Sequence, residues 1–277
     1  MRIDEGNSLL SLIPLRFPRL IHSHTALMAG HNKWSKVKHI KARVDAIKGR
    51  VFSKCAHEIA LAARAGGGDA SQNARLRTAI DNARAVSMPK ENIERAIRKG
   101  TGELGGDAIQ QVTYEGYGPS GIAFLIETAT DNLNRTAQEI RTVLSKNGGS
   151  IATPGSVAYQ FDRKGEIRIP ADNISSENLM EAAIEAGADD LQSDEDEHIL
   201  YTQPTELAPV SQALRSAGLN LVSEKFVSLP QTPSVITDLP IARQVLKLYE
   251  ALDDHPDTLN VFTNFEVSDD LLTQLDS

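Results

Sequence analysis

Charge is divided unevenly along this 277-residue chain, and the division limits how its parts can sit together. Residues 28–100 carry 16 Lys and Arg against 6 Asp and Glu, a net of +10. Residues 101–277 carry 10 against 29, a net of −19. A pI near 5.4 therefore conceals a basic module joined to an acidic body. Such a module gathers polyanions through its summed field while the remainder repels them. Phosphate backbones are the commonest polyanions in a cell, so the pattern points to a nucleic-acid binder that meets its target through one end.

The length suggests two or three domains. Aromatic residues make up only 5%, with one Trp, which argues against a large stacking platform for single strands. The single cysteine, Cys55, has no internal disulfide partner, and a reducing compartment is the natural expectation. No run approaches the roughly 18 apolar residues that span a bilayer, so no membrane partner is expected. Residues 1–27 read as a disordered extension or as translation from a start ahead of Met28. Arg2, Arg16 and Arg19 suit a mitochondrial presequence, but Asp4 and Glu5 oppose one.

The basic module reads as three short helices. Ile47, Val51, Cys55, Ile59 and Ala63 recur every four residues and lay an apolar stripe on one face. Gly66 to Gly68 end that helix, and Asp69 or Ser71 is expected to cap the next, whose inner face is Leu76, Ile80 and Ala83. Pro89 opens a third, with Ile93 and Ile97 inward and Gly100 closing it. A Gly-rich linker, 101–107, follows.

Beyond it the period becomes two. Strands are expected at Val112–Tyr114, Ile122–Thr128, Ser156–Phe161 and Glu166–Ile169, with EGYGPSG turning between the first pair and Asp162–Gly165 turning between the last. A helix capped by Asn134 lies among them. Later come a helix capped by Ser175 or Ser176, an acidic hairpin at DEDE, a helix around Val210 and a strand over Leu221–Val227. One helix through Val245 and one strand at Val261–Glu266 finish the chain. The first α/β unit lacks the layers to cover its sheet unless the last elements return to it. The expected fold is therefore α+β and multidomain: an N-terminal three-helix bundle followed by two α/β domains, one inserted in the other. The expected division is 1–27 extension, 28–107 bundle, 108–162 with 232–277 as one α/β domain, and 163–231 as the inserted acidic one.

The candidate nucleic-acid contacts are His31, Lys33, Trp34, Lys36, Lys38, His39, Lys41, Arg43, Lys48, Arg50, Lys54, Arg77, Arg84 and Lys99. Lysines here offer phosphate contact without sequence readout, and Trp34 either stacks on a base or covers the bundle. Lys90, Arg95 and Arg98 lie close by on the third helix. No base-reading helix–turn–helix is assigned. Catalytic patterns are weak. His57-Glu58 begins an HExxH motif, but Leu61 stands where the second His belongs. Cys55 falls in the apolar stripe. Asp194 to Glu197 lack calcium-loop spacing, and EGYGPSG leads into a strand rather than a phosphate-cradling helix. No cofactor, metal or small-molecule substrate is indicated.

The stretches MAGHNKWSKVKHIKA, FSKCAHEIALAARAGGGD, NARLRTAIDNARAVSMPKENIERAIRKG, YEGYGPSGIAFLIETATDNLNRT and GSVAYQF resemble the YebC/PmpR family, over essentially residues 28–277. The resemblance implies three domains, a cytoplasmic protein, no cofactor and no established catalytic residue. It implies a transcriptional regulator that binds DNA, or, as for other members including mitochondrial relatives, a translation factor acting on ribosomes, some at proline-rich stalls. The family has no agreed base-reading residues, so the basic positions carry over as candidates. A third class is a protein scaffold whose acidic domains dock on the bundle and neutralise it at close range.

Overall fold

In the computed structural model the described residues are 44–172, 174–268, 271 and 274–275, with the backbone alone for 44–48. The extension 1–27 and the candidates His31 to Arg43 lie outside them, as does the side chain of Lys48.

Three helices form the basic module: α1 (Val44–Gly66), α2 (Ala74–Ala85) and α3 (Lys90–Thr101). The stripe of Cys55, Ile59 and Ala63 is buried against Leu76, Ile80 and Ala83 of α2 and Ile93 and Ala96 of α3. Asn73 caps α2 in place of Asp69 or Ser71. Its Oδ1 accepts the Leu76 N–H at 3.0 Å, while its amide donates to the carbonyls of Ala62 and Gly67 at 2.8 and 2.9 Å. Asn73 is thus both a cap and a bridge back to α1, a dual use that Asp69 cannot supply because it lacks a donor. Gly102, at φ +83°, takes the left-handed end of α3 that Gly100 was expected to provide. Gly100 serves contact instead, since a Cβ there would lie 2.3 Å from the Ala60 carbonyl oxygen.

The strands are β1 (Gln110–Tyr117), β2 (Ala123–Thr130), β3 (Ser150–Ile151), β4 (Phe161–Pro170), β5 (Asp190–Ser193), β6 (Glu197–Thr202), β7 (Ser223–Pro230), β8 (Ser234–Ile236), β9 (Thr258–Thr263) and β10 (Phe265–Val267). Between them run α4 (Leu133–Lys146), α5 (Ser176–Ala186), α6 (Leu207–Ser216) and α7 (Leu239–Asp253). The first sheet has the order β3-β1-β2-β9 and is antiparallel throughout. The second, β5-β6-β4-β7, is also antiparallel and lies in sequence between β3 and β9. One domain is therefore inserted in the other. β8 and β10 form a separate parallel pair.

Every residue of β2 is buried, because both of its faces are covered. Phe124 and Ile126 face α4 and α7, among Ile140, Leu144, Val245 and Leu248. Ala123 and Leu125, one residue out of phase, pack with Phe161, Ile199, Tyr201 and Val227 of the inserted domain. Arg163 of β4 ties the two sheets through Glu127 of β2 at 2.5 Å, with its guanidinium 5.5 Å from the Phe226 ring centre. The inserted domain has its own core of Ile167, Ile169, Leu179, Leu200, Val210 and Leu214.

Three local expectations are corrected. The EGYGPSG turn holds as a hairpin, but Ser156 to Gln160 form no strand. They are a loop and a 3-10 turn, pinned by Glu115, whose carboxylate accepts the N–H groups of Gly155, Val157 and Ala158 at 2.6, 2.5 and 2.9 Å. Nor is there a turn at Asp162–Gly165, for β4 runs straight through it. Gly165 is a packing glycine: a Cβ there would fall 2.4 Å from Thr202 Oγ1 and 2.8 Å from Leu207 Cβ. The expected final strand is split into β9 and β10 at Asn264, whose Oδ1 accepts the Ala123 N–H at 2.9 Å. Gly165→Ala is expected to destabilise the protein by about 1–3 kcal/mol through overpacking, with hydrogen exchange speeding first at the Ile167 and Leu200 amides. Unchanged exchange at those amides would contradict this account.

Candidate nucleic-acid interface

The bundle is seated on the body along α1, which touches both β2 and β9. An apolar strip joins them: Ala60 and Leu61 of α1 against Ile109, Ala129 and Leu259. Ion pairs flank the strip. Arg50 pairs with Asp254, Lys54 Nζ lies 2.6 Å from Asp253 at the end of α7, and Lys99 Nζ lies 2.9 Å from Asp131 ahead of α4. Arg64 donates to the Ile109 carbonyl. On the other side, Thr78 of α2 donates to Glu224 of β7 at 3.4 Å. Three candidate phosphate contacts, Arg50, Lys54 and Lys99, thus stand at the seam between the two charge halves.

The remaining described candidates lie on the outer helices. Arg77 donates to the carbonyls of Ala70 and Ser71 at 3.1 and 3.3 Å, which braces the loop ahead of α2. Arg84 pairs with Asp81 at 3.2 Å, both well exposed. Such a pair is weak and easily exchanged for a phosphate. Arg75, Arg95 and Arg98 are exposed and make no ion pair among the described residues. None of these three is among the candidate contacts read from the sequence, although Arg95 and Arg98 lie in the basic set of the third helix.

Arg135, which follows the cap residue Asn132, now has a role. Its guanidinium reaches Asp257 at 3.2 Å and Asp131 at 3.3 Å. Thr136 Oγ1 donates to the same Asp257 Oδ2 at 2.6 Å. Burial opposes ionisation of Asp257, but the hydrogen bonds from Thr136 and Arg135 outweigh it and hold the carboxyl below its ordinary value. Asp131 is held down mainly by its hydrogen bond from Lys99. Asn132 rather than Asn134 caps α4, accepting the Arg135 N–H at 3.1 Å.

The chemistry of the other polar groups is structural. Burial pushes the Cys55 thiol up to about 11, which suppresses the reactive thiolate. Burial also lowers His57, against the opposing charge of Asp257, and keeps the imidazole neutral at pH 7. Glu139, His255 and Asp257 bring three metal-ligand types within 4.8 Å of one another. Their hydrogen bonds already close the set. His255 Nδ1 accepts the Asp257 N–H at 3.2 Å, so the ring proton sits on Nε2 and points at Glu139 Oε2, 3.0 Å away. A metal would have to displace that proton. No helix among the described residues is long and apolar enough to cross a membrane.

A carboxylate depressed on folding stabilises the native state above its unfolded pKa of about 3.9, and that contribution is lost as pH falls through the lower folded value. Stability at the seam and at the start of α4 should therefore decline below about pH 4, and an Asp131→Asn/Asp257→Asn double variant should show a shallower acid limb in thermal melts. An acid limb as steep as that of the wild type would exclude these two carboxylates as its source.

Two family profiles match the chain: the TACO1/YebC protein N-terminal domain over residues 32–103, and the TACO1/YebC second and third domain over residues 109–265. A "Probable transcriptional regulatory protein" of Akkermansia muciniphila is 62% identical over 250 residues, spanning 90% of this chain and 100% of its own length. One from Sulfurihydrogenibium sp. is 45% identical over the same shares. A solved structure, described as a conserved hypothetical protein from Aquifex aeolicus, shares 45% identity with a TM-score of 0.79, covering 86% of this chain and 98% of that one. The Akkermansia and Sulfurihydrogenibium relatives carry the name of a regulator rather than of a reaction. On two matched profiles that together span most of its length, the chain belongs to the TACO1/YebC family.

Proposed function

We propose that the protein is a non-enzymatic, nucleic-acid-binding regulator that engages DNA through its helical bundle to control transcription. The observation that carries this reading is the sorting of the bundle's cations. Arg50, Lys54 and Lys99 are tied to aspartates of the body, whereas Arg75, Arg95 and Arg98 stand exposed on α2 and α3 with no ion pair among the described residues. Arg84, with its exposed partner, is a further exposed cation of α2. The stretch from Lys33 to Arg43 continues the same charge in sequence. The relatives' naming as transcriptional regulators supports the role.

A second reading is an RNA- or ribosome-associated translation factor. One observation favours it: α1 and α3 enclose an open cleft of about 510 Å³ lined by apolar and basic side chains. A duplex has no unpaired base to offer such a cleft, while looped RNA has many.

Binding to a polyanion should fall steeply with salt. Contact with about six phosphates gives a log–log slope of roughly −5. Replacing Arg75, Arg95 and Arg98 together by Glu should flatten the slope by about 3 and weaken all sequences alike. The quadruple change of Lys33, Lys36, Lys38 and Lys41 to Glu should act in the same direction. Anisotropy titrations over a salt series check both, on duplex DNA and on structured RNA. An unchanged slope in both variants would remove the bundle as the contact surface, and preference for RNA at every salt would favour the second reading.

A further inference from the structure

The cleft between α1 and α3 combines features that a phosphate-binding surface alone does not need. Its floor is apolar, with Phe52, Ala56, Met88 and Ala96, and Phe52 also packs against the bundle core. Its polar lining is His57, Asn92, Arg95 and Lys99, with Ser53. Among the described residues no carboxylate lines it. Among the described residues His57 Nδ1 is buried and has no hydrogen-bond partner. A buried polar atom left unpaired in a folded protein calls for an explanation.

We infer that this cleft receives a single unpaired nucleobase, with the adjoining phosphate on Arg95. This rests on the nucleic-acid reading above and narrows it to an unstacked nucleotide, whether of RNA or of melted DNA. The volume falls within the range of small-molecule sites. Phe52 supplies a ring for stacking, which works for any base because every base has a π-face. Asn92 supplies the paired donor and acceptor that match an adenine edge. Arg98, exposed on α3 beyond the cleft, continues the positive track that a strand needs on leaving it. The competing occupant, a long-chain anionic lipid, would use the cations and the apolar floor but leave Asn92 and the His57 nitrogen unmet.

The test compares short oligoadenylates with strands of equal length that keep every phosphate but lack the bases, in ribose and deoxyribose forms, by anisotropy on the full chain at fixed salt. The wild type should bind the intact strands about tenfold more tightly than the abasic ones, a ratio within what one stacked base contributes. Phe52→Ala and Asn92→Ala should each shrink that ratio and leave abasic binding unchanged. Asn92 is partly exposed, so its variant keeps the test sound if Phe52→Ala fails to fold. The better-bound sugar identifies the source. Equal binding of intact and abasic strands by a protein that still binds both would overturn the base pocket and leave the nucleic-acid reading standing. Displacement of a strand-independent lipid probe from the cleft, with no base dependence, would also overturn it. Failure to bind any strand at low salt would bring down both readings.

Discussion

The arrangement depends on how the basic bundle is fastened to the acidic body. Opposite charge brings the halves together but does not by itself hold them. At physiological ionic strength the Debye length is about 8 Å, so only pairs in contact matter. The contact pairs are few and differ in burial. Arg50 and Asp254 remain nearly half exposed, while Lys54 and Asp253 are three-quarters covered or more. Exposed pairs contribute about 0–1 kcal/mol each. The larger contribution comes from the apolar strip of Ala60, Leu61, Ile109, Ala129 and Leu259, at about 25 cal/mol per Å² removed from water. The ion pairs fix where along α1 that strip is laid down, because a shift by one residue would part Lys54 from Asp253 and Arg50 from Asp254 together.

Much of the fold is legible from periodicity. The stripe at Cys55, Ile59 and Ala63 gives the bundle, and the later alternation gives the sheets. The insertion is legible only by counting layers, since the strand that completes the first sheet, β9, lies more than a hundred residues after its neighbour β2. What local pattern misses is what each residue meets across space. Gly165 reads as a turn because glycines often mark turns, yet it sits mid-strand to admit Leu207. Asp69 reads as a cap, yet Asn73 holds that place because it alone can also donate to Ala62 and Gly67.

The candidate interface was legible as a total and illegible as a distribution. Counting charges marks the module as basic but does not say which cations are spent on the seam. Lys99 reads as a favourable charge at a helix end, and its partner Asp131 lies across the linker. Arg135 carries no motif, and its purpose appears only when β9 brings Asp257 beside it. His57 illustrates the same limit. In sequence it belongs to a failed zinc motif, whereas in space it lines a cleft made by two helices that are far apart along the chain.

The division of cations has a consequence for how salt acts. Raising ionic strength would weaken the proposed contacts of Arg75, Arg95 and Arg98 with a polyanion, since those side chains are exposed and lose most from screening. It also weakens the seam pairs, but there the apolar strip is insensitive to screening and keeps the bundle in place. A polyanion approaching Arg50, Lys54 or Lys99 would have to displace aspartates already at contact distance, and it would meet the repulsion of the body beyond them. On the proposed reading, the acidic body would direct binding as well as carry the bundle: by occupying the cations nearest to it, it leaves the exposed arginines of α2 and α3 as the better partners for phosphate.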